Sequence, residues 1–204
     1  TMKKISIIDS KICNLNSLIN ALKHLGIKYQ LINKSNQKIY NEGVILPGVG
    51  SFSNGMEHLK KNNMISVIKG CAKKKVPILG ICLGMQLLTK TSDEFGQFKG
   101  IGLINANVKK LITKSKLFKV PNIGWRKVFV SRENALISQN DFFYHIHGHH
   151  ITGIEKKNIL ATIKFEKKKV VVAFQKDNIF GVQFHPEKSN DPGLRILENF
   201  YKYL

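Results

Sequence analysis

Cys82 stands where an apolar run breaks off. Val76-Pro77-Ile78-Leu79-Gly80-Ile81 leads into it, and Leu83-Gly84-Met85-Gln86 resumes at once with a helical pattern. This order predicts a buried strand that turns sharply into a helix and holds a thiol at the elbow. Gly80 and Gly84 remove the Cβ atoms that would crowd such a turn and tolerate the dihedral angles it needs. A thiol at a helix N-terminus sits near the positive end of the dipole, which favours the nucleophilic thiolate. A lone cysteine, however, is more often a buried packing residue, so a second feature must decide. Downstream, Ile179-Phe180-Gly181-Val182-Gln183-Phe184 reads as a strand and ends in His185-Pro186-Glu187. Pro186 stops the strand and pushes His185 into an extended conformation. His185 and Glu187, two residues apart in an extended segment, are expected on one face. A carboxylate beside an imidazole fixes its tautomer and supports its charged form. Nucleophile, base and orienter are all present, the set required for covalent catalysis.

The elements that must position these groups alternate short apolar runs with helical patterns. This predicts an α/β fold, a mostly parallel central sheet flanked by helices, with a more β-rich second half. A first strand closes over Ser6 to Asp9. Leu18, Ile19, Leu22 and Leu25 then space as one helix face, and Gly26 supplies a C-terminal stop. Segments 28–32 and 43–46 read as strands, and the latter runs into the glycine-rich turn Pro47-Gly48-Val49-Gly50. A helix over 64–75 leads to the cysteine strand. Several β-like runs fill 108–172. Asp191 is expected to cap a helix with Pro192 at its first position, running from Gly193 to about Tyr203. No repeat, low-complexity stretch or linker interrupts residues 1–204, so a single domain is expected.

With 204 residues and 43% hydrophobic content, the chain can build a proper core. No stretch reaches the roughly 20 apolar residues that span a bilayer, and the first residues lack the apolar core of a signal peptide. Cys13, Cys71 and Cys82 are an odd, scattered set, unlike a disulfide framework, which points to a reducing cytoplasm. The net charge of +20 raises nucleic-acid binding as a reading. Only Arg126, Arg132 and Arg195 are arginines, however, and lysine spread along the chain suits a solvated surface better than phosphate or base recognition. The runs Lys73-Lys74-Lys75 and Lys167-Lys168-Lys169 fall at expected helix-end and turn positions. Neither nucleic acid nor membrane is expected as a partner.

The motifs resemble those of class I (triad) glutamine amidotransferases, and within them the branch of imidazole glycerol phosphate synthase glutaminase subunits. The resemblance runs nearly end to end: Asp9 and Asn14, Leu46-Pro47-Gly48-Val49-Gly50-Ser51-Phe52, Gly80-Ile81-Cys82-Leu83-Gly84-Met85-Gln86, Lys99-Gly100, Gly102-Leu103, Gly124-Trp125, and Gly181-Val182-Gln183-Phe184-His185-Pro186-Glu187-Lys188-Ser189. It implies hydrolysis of L-glutamine with ammonia passed to a cyclase-type (β/α)8-barrel subunit in a heterodimer, without cofactor or metal. Cys82 would be the nucleophile, His185 the acid and base, and Glu187 its orienter. The amide of Leu83, with that of Val49 or Gly50, would form the oxyanion hole, in some members only after a partner-triggered peptide reorientation. Gln86, Glu94 and the backbone of Gly148 and His149 would grip glutamine. Asn14, Trp125, Tyr144 and Lys188 would line the partner interface and the ammonia passage.

Four departures from the family pattern stand out. Ser10-Lys11-Ile12-Cys13 replaces the usual glycines of the first loop. Arg126 follows Gly-Trp where asparagine is usual. In Tyr144-His145-Ile146-His147-Gly148-His149-His150, one phenylalanine and two tyrosine positions have become histidine. As a consequence His145, His147 and His149 are expected on one face of a strand, partly solvated; three imidazoles so placed raise zinc as a possibility, but no cysteine or carboxylate of that segment completes a set. The departures cluster where the family meets its cyclase. They keep open a paralogous glutaminase that supplies ammonia for amidination of a bacterial surface sugar. A non-catalytic regulatory protein on the same fold would have lost the nucleophile, and Cys82 is present.

Overall fold

The computed structural model describes residues 3–9, 15–37, 39 and 42–204. The strands richest in unbroken apolar sequence are those buried on both faces, as a parallel sheet covered by helices requires. Among them are β1 (Lys4–Ile8), β3 (Gly43–Leu46) and β4 (Ile78–Ile81), with β2 (Lys28–Ile32) at the edge. Between them lie α1 (Asn16–His24), α2 (Phe52–Lys61) and α3 (Met64–Lys73). The cysteine turn leads into α4 (Leu83–Leu87). Then follow β5 (Thr91–Ser92), β6 (Phe98–Lys99), β7 (Asn107–Lys110), β8 (Asn122–Val130), β9 (Asp141–His147), β10 (His149–Thr152), β11 (Ile159–Phe165), β12 (Lys168–Lys176) and β13 (Ile179–Val182). The chain closes with α5 (Asn190–Tyr203).

Strands β2-β1-β3-β4-β13 pair in parallel in that order. The β-rich second half extends this sheet mainly by antiparallel pairing, through β12, β10 and β7 on one path and through β11, β8 and β9 on another. Two apolar clusters cover the parallel strands. One gathers Leu18, Leu22, Leu197 and Phe200 of α1 and α5 over Ile5, Ile7 and Phe180. The other gathers Phe52, Leu59 and Ile68 of α2 and α3 over Ile8, Val44 and Leu46. Among the described residues, no helix is long and apolar enough to cross a membrane.

The register places the chemistry. Leu46 of β3 lies opposite Gly80 of β4, and Val182 of β13 opposite Ile81. The three loops that leave these strands, carrying Gly48 to Gly50, Cys82 and His185, therefore emerge together at the carboxyl edge, where open α/β sheets form their sites. The elbow is as tight as its glycines imply: a Cβ on Gly84 would lie 1.7 Å from the Leu46 carbonyl oxygen. Gly26 follows α1 with φ of +67°, the left-handed stop expected of it.

Three boundaries differ from the sequence reading. The third helix ends at Lys73, because Lys75 turns to φ +59° before β4. Strand β1 ends at Ile8, although Asp9 N still donates to Ile32 O at 2.9 Å. Helix α5 starts at Asn190, with Ser189 as its cap residue and Gly193 N donating to Ser189 O at 3.1 Å. Asp191 and Pro192 thus lie inside its first turn. Proline is accommodated there because the first N–H groups of a helix need no intrahelical partner.

Candidate active site

Cys82 adopts φ 53° and ψ −109°, a conformation that L-residues rarely take, between the end of β4 and α4. Its amide donates to Val182 O at 2.8 Å, tying the elbow to the adjacent strand. Helix α4 has only five residues, so its dipole is small and the neighbouring side chains dominate the sulfur's surroundings. The thiol lies 3.9 Å from the Ile146 carbonyl oxygen, and Gln183 Nε2 lies 3.8 Å from the sulfur.

His185 and Glu187 meet, though not along an extended segment. His185 is extended, and Pro186–Lys188 form a single 3-10 turn that swings Glu187 back toward the ring. Nδ1 of His185 lies 2.7 Å from Glu187 Oε1. The carboxylate is only 12% exposed, so Glu187 is a largely buried partner of the ring rather than a surface acid. Burial alone would push the His185 pKa down, but the neighbouring Cys82 sulfur and the bonded Glu187 carboxylate outweigh it and raise the value to about 10. Nδ1–H is thereby committed to Glu187, while Nε2 is buried with no formed hydrogen bond in the resting site. That nitrogen is the one free to carry a proton.

Val49, Gly50, Cys82, Leu83, Gln86, Glu94, Gly148, His149, His185 and Lys188 line one cleft of about 190 Å³. Val49, His185 and Lys188 also border a second cavity of about 170 Å³, reached past Pro47 and Glu187. The Leu83 amide, a candidate oxyanion donor, is not free. Leu83 N donates to Gly48 O at 3.3 Å. A trans peptide sets its C=O and N–H on opposite sides, so the Val49 N–H points away from Leu83. Gln86 is a buried amide rather than a helix-surface one: its Nε2 donates to Gln183 Oε1 at 2.9 Å and to His149 O at 3.2 Å. Glu94 accepts from Phe52 N through Oε2 (2.6 Å) and faces His149 Nδ1 through Oε1 (3.5 Å).

Trp125 and Tyr144 pair across β8 and β9 with rings edge-to-face at 6.1 Å. Trp125 is 44% exposed, and Ile123, Phe142 and Ile146 extend the same apolar face. Tyr144 is tied to the histidine loop: Tyr144 O accepts from His185 N at 2.9 Å, and Tyr144 N donates to Ser189 Oγ at 3.0 Å. Asn14, Cys13 and the loop 10–14 lie outside the described residues.

The histidine cluster departs most from expectation. Gly148 breaks the strand, so His145 and His147 belong to β9 and His149 to β10. His145 and His147 are buried rather than part-solvated, with His145 at 0% exposure. Among the described residues no group of three or more His, Cys, Asp or Glu side chains is arranged to hold a metal ion. Sequence reasoning also passed over Gln183, which joins Gln86 to the sulfur. Its signal was available: it lies two residues before His185, a polar side chain on the same face of an apolar strand.

Burial pushes the His145 pKa well below its usual value, assisted by charge at His147, Arg126 and His185. Burial likewise takes His147 down to about 4, against the hydrogen bond to His149. The folded chain holds these rings neutral while the unfolded chain takes up protons near pH 6.5. Their contribution to stability is therefore present above pH 6.5 and is lost as pH falls toward 4. For His147 the drop from 6.5 to about 4 corresponds to about 3 kcal/mol. In a domain of this size that should lower Tm by about 10 °C across the interval. His145→Phe should flatten the wild-type slope; parallel melting curves for the two proteins from pH 7 to pH 4 would count against this account of His145.

A thiol, an imidazole and a carboxylate at adjacent strand ends, beside two backbone amides, define a site for thiol-dependent acyl transfer. Residues 6–204 match the glutamine amidotransferase class-I family. The chain is 42% identical over 202 residues to imidazole glycerol phosphate synthase subunit HisH 2 of Methanococcus maripaludis, covering 97% of this chain and 98% of that protein. It is 41% identical over 206 residues to subunit HisH of Sulfurimonas denitrificans, covering 98% of each. Among solved structures, PurLQS of Thermotoga maritima shares the fold, with a TM-score of 0.75 at 17% identity, covering 100% of this chain and 99% of that one. The chain belongs to the class I glutamine amidotransferases.

Proposed function

We propose that this chain is the glutaminase subunit of an imidazole glycerol phosphate synthase. It hydrolyses L-glutamine to glutamate and passes the ammonia to a cyclase-type (β/α)8-barrel subunit, in a reducing cytoplasm and without cofactor or metal. Residues 1–204 act as one amidotransferase domain. The observation that carries the reading is the 2.7 Å bond from His185 to Glu187 behind an Nε2 left unbonded beside Cys82. The subunit names of the two relatives above support the pathway.

In the cycle, the Cys82 thiolate attacks the carboxamide carbon of glutamine. His185 Nε2 gives its proton to the departing nitrogen, the C–N bond breaks, and ammonia leaves a glutamyl thioester. Water then adds to the thioester carbonyl, His185 Nε2 takes its proton, and the C–S bond breaks to release glutamate. Glu187 orients the ring and stabilises its charged form. Gln86, Glu94 and the Gly148–His149 backbone hold the amino-acid end of the substrate. Rotation of the Gly48–Val49 peptide frees Leu83 N and turns the Val49 N–H, or the adjacent Gly50 N–H, toward the developing oxyanion. The second cavity, bordered by Leu15, Pro47 and Lys188, gives ammonia a way out toward the docked barrel.

Arg126 and the histidines at 145, 149 and 150 favour a second reading, in which a cyclase-like partner sends the ammonia to a surface sugar. Glutaminase turnover of the purified chain, alone and with a histidine-pathway cyclase plus its nucleotide ligand, separates the two. Strong stimulation is expected, on the order of 10²–10³ if it reflects completion of the oxyanion hole. A rate that the cyclase leaves unchanged would reject the histidine-pathway assignment in favour of the sugar.

A further inference from the structure

We propose that Arg126, Asn122 and His147 form a positioning relay that sets the backbone wall of the glutamine cleft, an inference that rests on the glutaminase reading above. Arg126 Nε donates to Asn122 Oδ1 at 2.8 Å. The Asn122 amide nitrogen therefore faces His147 Nε2, 3.1 Å away. On the other side of the ring, His147 Nδ1 lies 2.9 Å from the His149 carbonyl oxygen. A carbonyl only accepts, so Nδ1 carries the hydrogen and Nε2 of the neutral ring is an acceptor. Asn122 Nδ2–H fills it, and His145 Nδ1 approaches the same nitrogen at 3.2 Å. An arginine side chain only donates and stays protonated, so the direction of the whole chain is fixed from one end.

The other end of the chain is the cleft. The His149 carbonyl that receives His147 also receives Gln86 Nε2 at 3.2 Å. The same Gln86 nitrogen holds Gln183 Oε1 at 2.9 Å, and Gln183 Nε2 lies 3.8 Å from the Cys82 sulfur. One residue before His147, the Ile146 carbonyl lies 3.9 Å from the thiol. Residues 146–149 thus touch the nucleophile at one end and Gln86 at the other, and the His147 ring pins them from behind. Asn122 and His147 are both buried, so removing a member leaves a buried polar group without its partner. The relay moves no proton. It fixes the separation of the His149 carbonyl and Gln86, and its loss should appear in substrate affinity rather than in the chemical step. Arg126 stands where the family pattern has asparagine, which makes this anchor a property of this chain.

Protonating His147 would turn Nε2 into a donor facing the Asn122 N–H. The charged or titratable groups around the ring are Arg126 from β8, His150 from β10 and His185 beyond β13, with His145 beside it on its own strand. All are basic, and they oppose that protonation.

Glutamine affinity measured by calorimetry in the Cys82→Ala protein reads binding without turnover. Adding Arg126→Ala or Asn122→Leu should weaken it about tenfold, the scale of one broken buried hydrogen bond. In the active enzyme, KM should rise by a similar factor while kcat stays nearly constant, and Arg126→Lys, which keeps a donor and a charge, should recover part of the loss. Unchanged affinity in folded variants would overturn the relay, as would a joint fall of kcat, affinity and Tm, which marks a merely structural role. Imidazole nitrogen NMR of the unaltered chain supplies an arm independent of the variants. His147 should show protonated Nδ1 and bare Nε2 near neutral pH; the opposite tautomer overturns the relay even if every variant misfolds. The glutaminase reading fails on different results, namely turnover that survives Cys82→Ala or no glutamine binding by that protein, and the tautomer alone then decides the relay.

Discussion

Cys82→Ala should abolish glutamine hydrolysis, lowering kcat by at least about 10⁴-fold, because it removes the sulfur on which the proposed acyl intermediate forms. The loss should come without unfolding. Alanine keeps the Cβ and the backbone preferences of the parent, so the φ of 53° at the elbow is no more strained than before. The tie from residue 82 N to Val182 O is likewise independent of the side chain. The substitution also reports on His185, whose raised pKa survives burial only through Cys82 and Glu187. With the sulfur gone, burial gains ground and the ring should titrate below its wild-type value. Imidazole NMR of the two proteins across pH 6–11 measures this, and an unmoved titration would mean that the sulfur and the ring do not interact. Glu187→Gln should lower kcat by up to about 10⁴-fold, since an amide no longer fixes the tautomer or balances the imidazolium. Residues acting as one unit are not additive, so the double variant should be little worse than Cys82→Ala alone. A multiplicative loss would place Glu187 outside the unit.

The cysteine elbow was legible in the sequence because its glycines report a steric fact: nothing larger fits between position 84 and the Leu46 carbonyl. The parallel strands were legible for a related reason, since burial on both faces leaves an uninterrupted apolar run. The path from His185 to Glu187 was not legible. A proline fixes its own φ but is compatible with both an extended chain and a 3-10 turn, and Tyr144, whose carbonyl takes the His185 N–H and whose N–H reaches Ser189 Oγ, arrives from β9. Burial of His145 was hidden too, because alternation reads histidine as polar. The ring is accommodated by the neutral nitrogen of His147 and by Phe184, and the latter comes from a distant strand end that no local pattern reveals. Gly148, noted only for its backbone, proved to be the break that sends His149 toward Glu94 instead of toward its neighbours.

Val49→Pro should lower partner-stimulated kcat by about 10²–10³-fold with little change in KM, the usual cost of losing one oxyanion donor. The argument begins with the bond from Leu83 N to Gly48 O, which occupies one amide and turns the next away. Activation on this account is rotation of a single peptide, and proline removes the N–H that the rotation would deliver. The Val49 side chain is 37% exposed, so its replacement costs little packing and Tm should stay near wild type. Binding of glutamine should persist, because Gln86 and Glu94 are held by His149, Gln183 and Phe52 rather than by Val49. Comparison of kcat with and without the cyclase partner is the decisive measurement. Undiminished stimulation in Val49→Pro would exclude the Val49 amide and leave Gly50, the following N–H of the same loop, as the second donor.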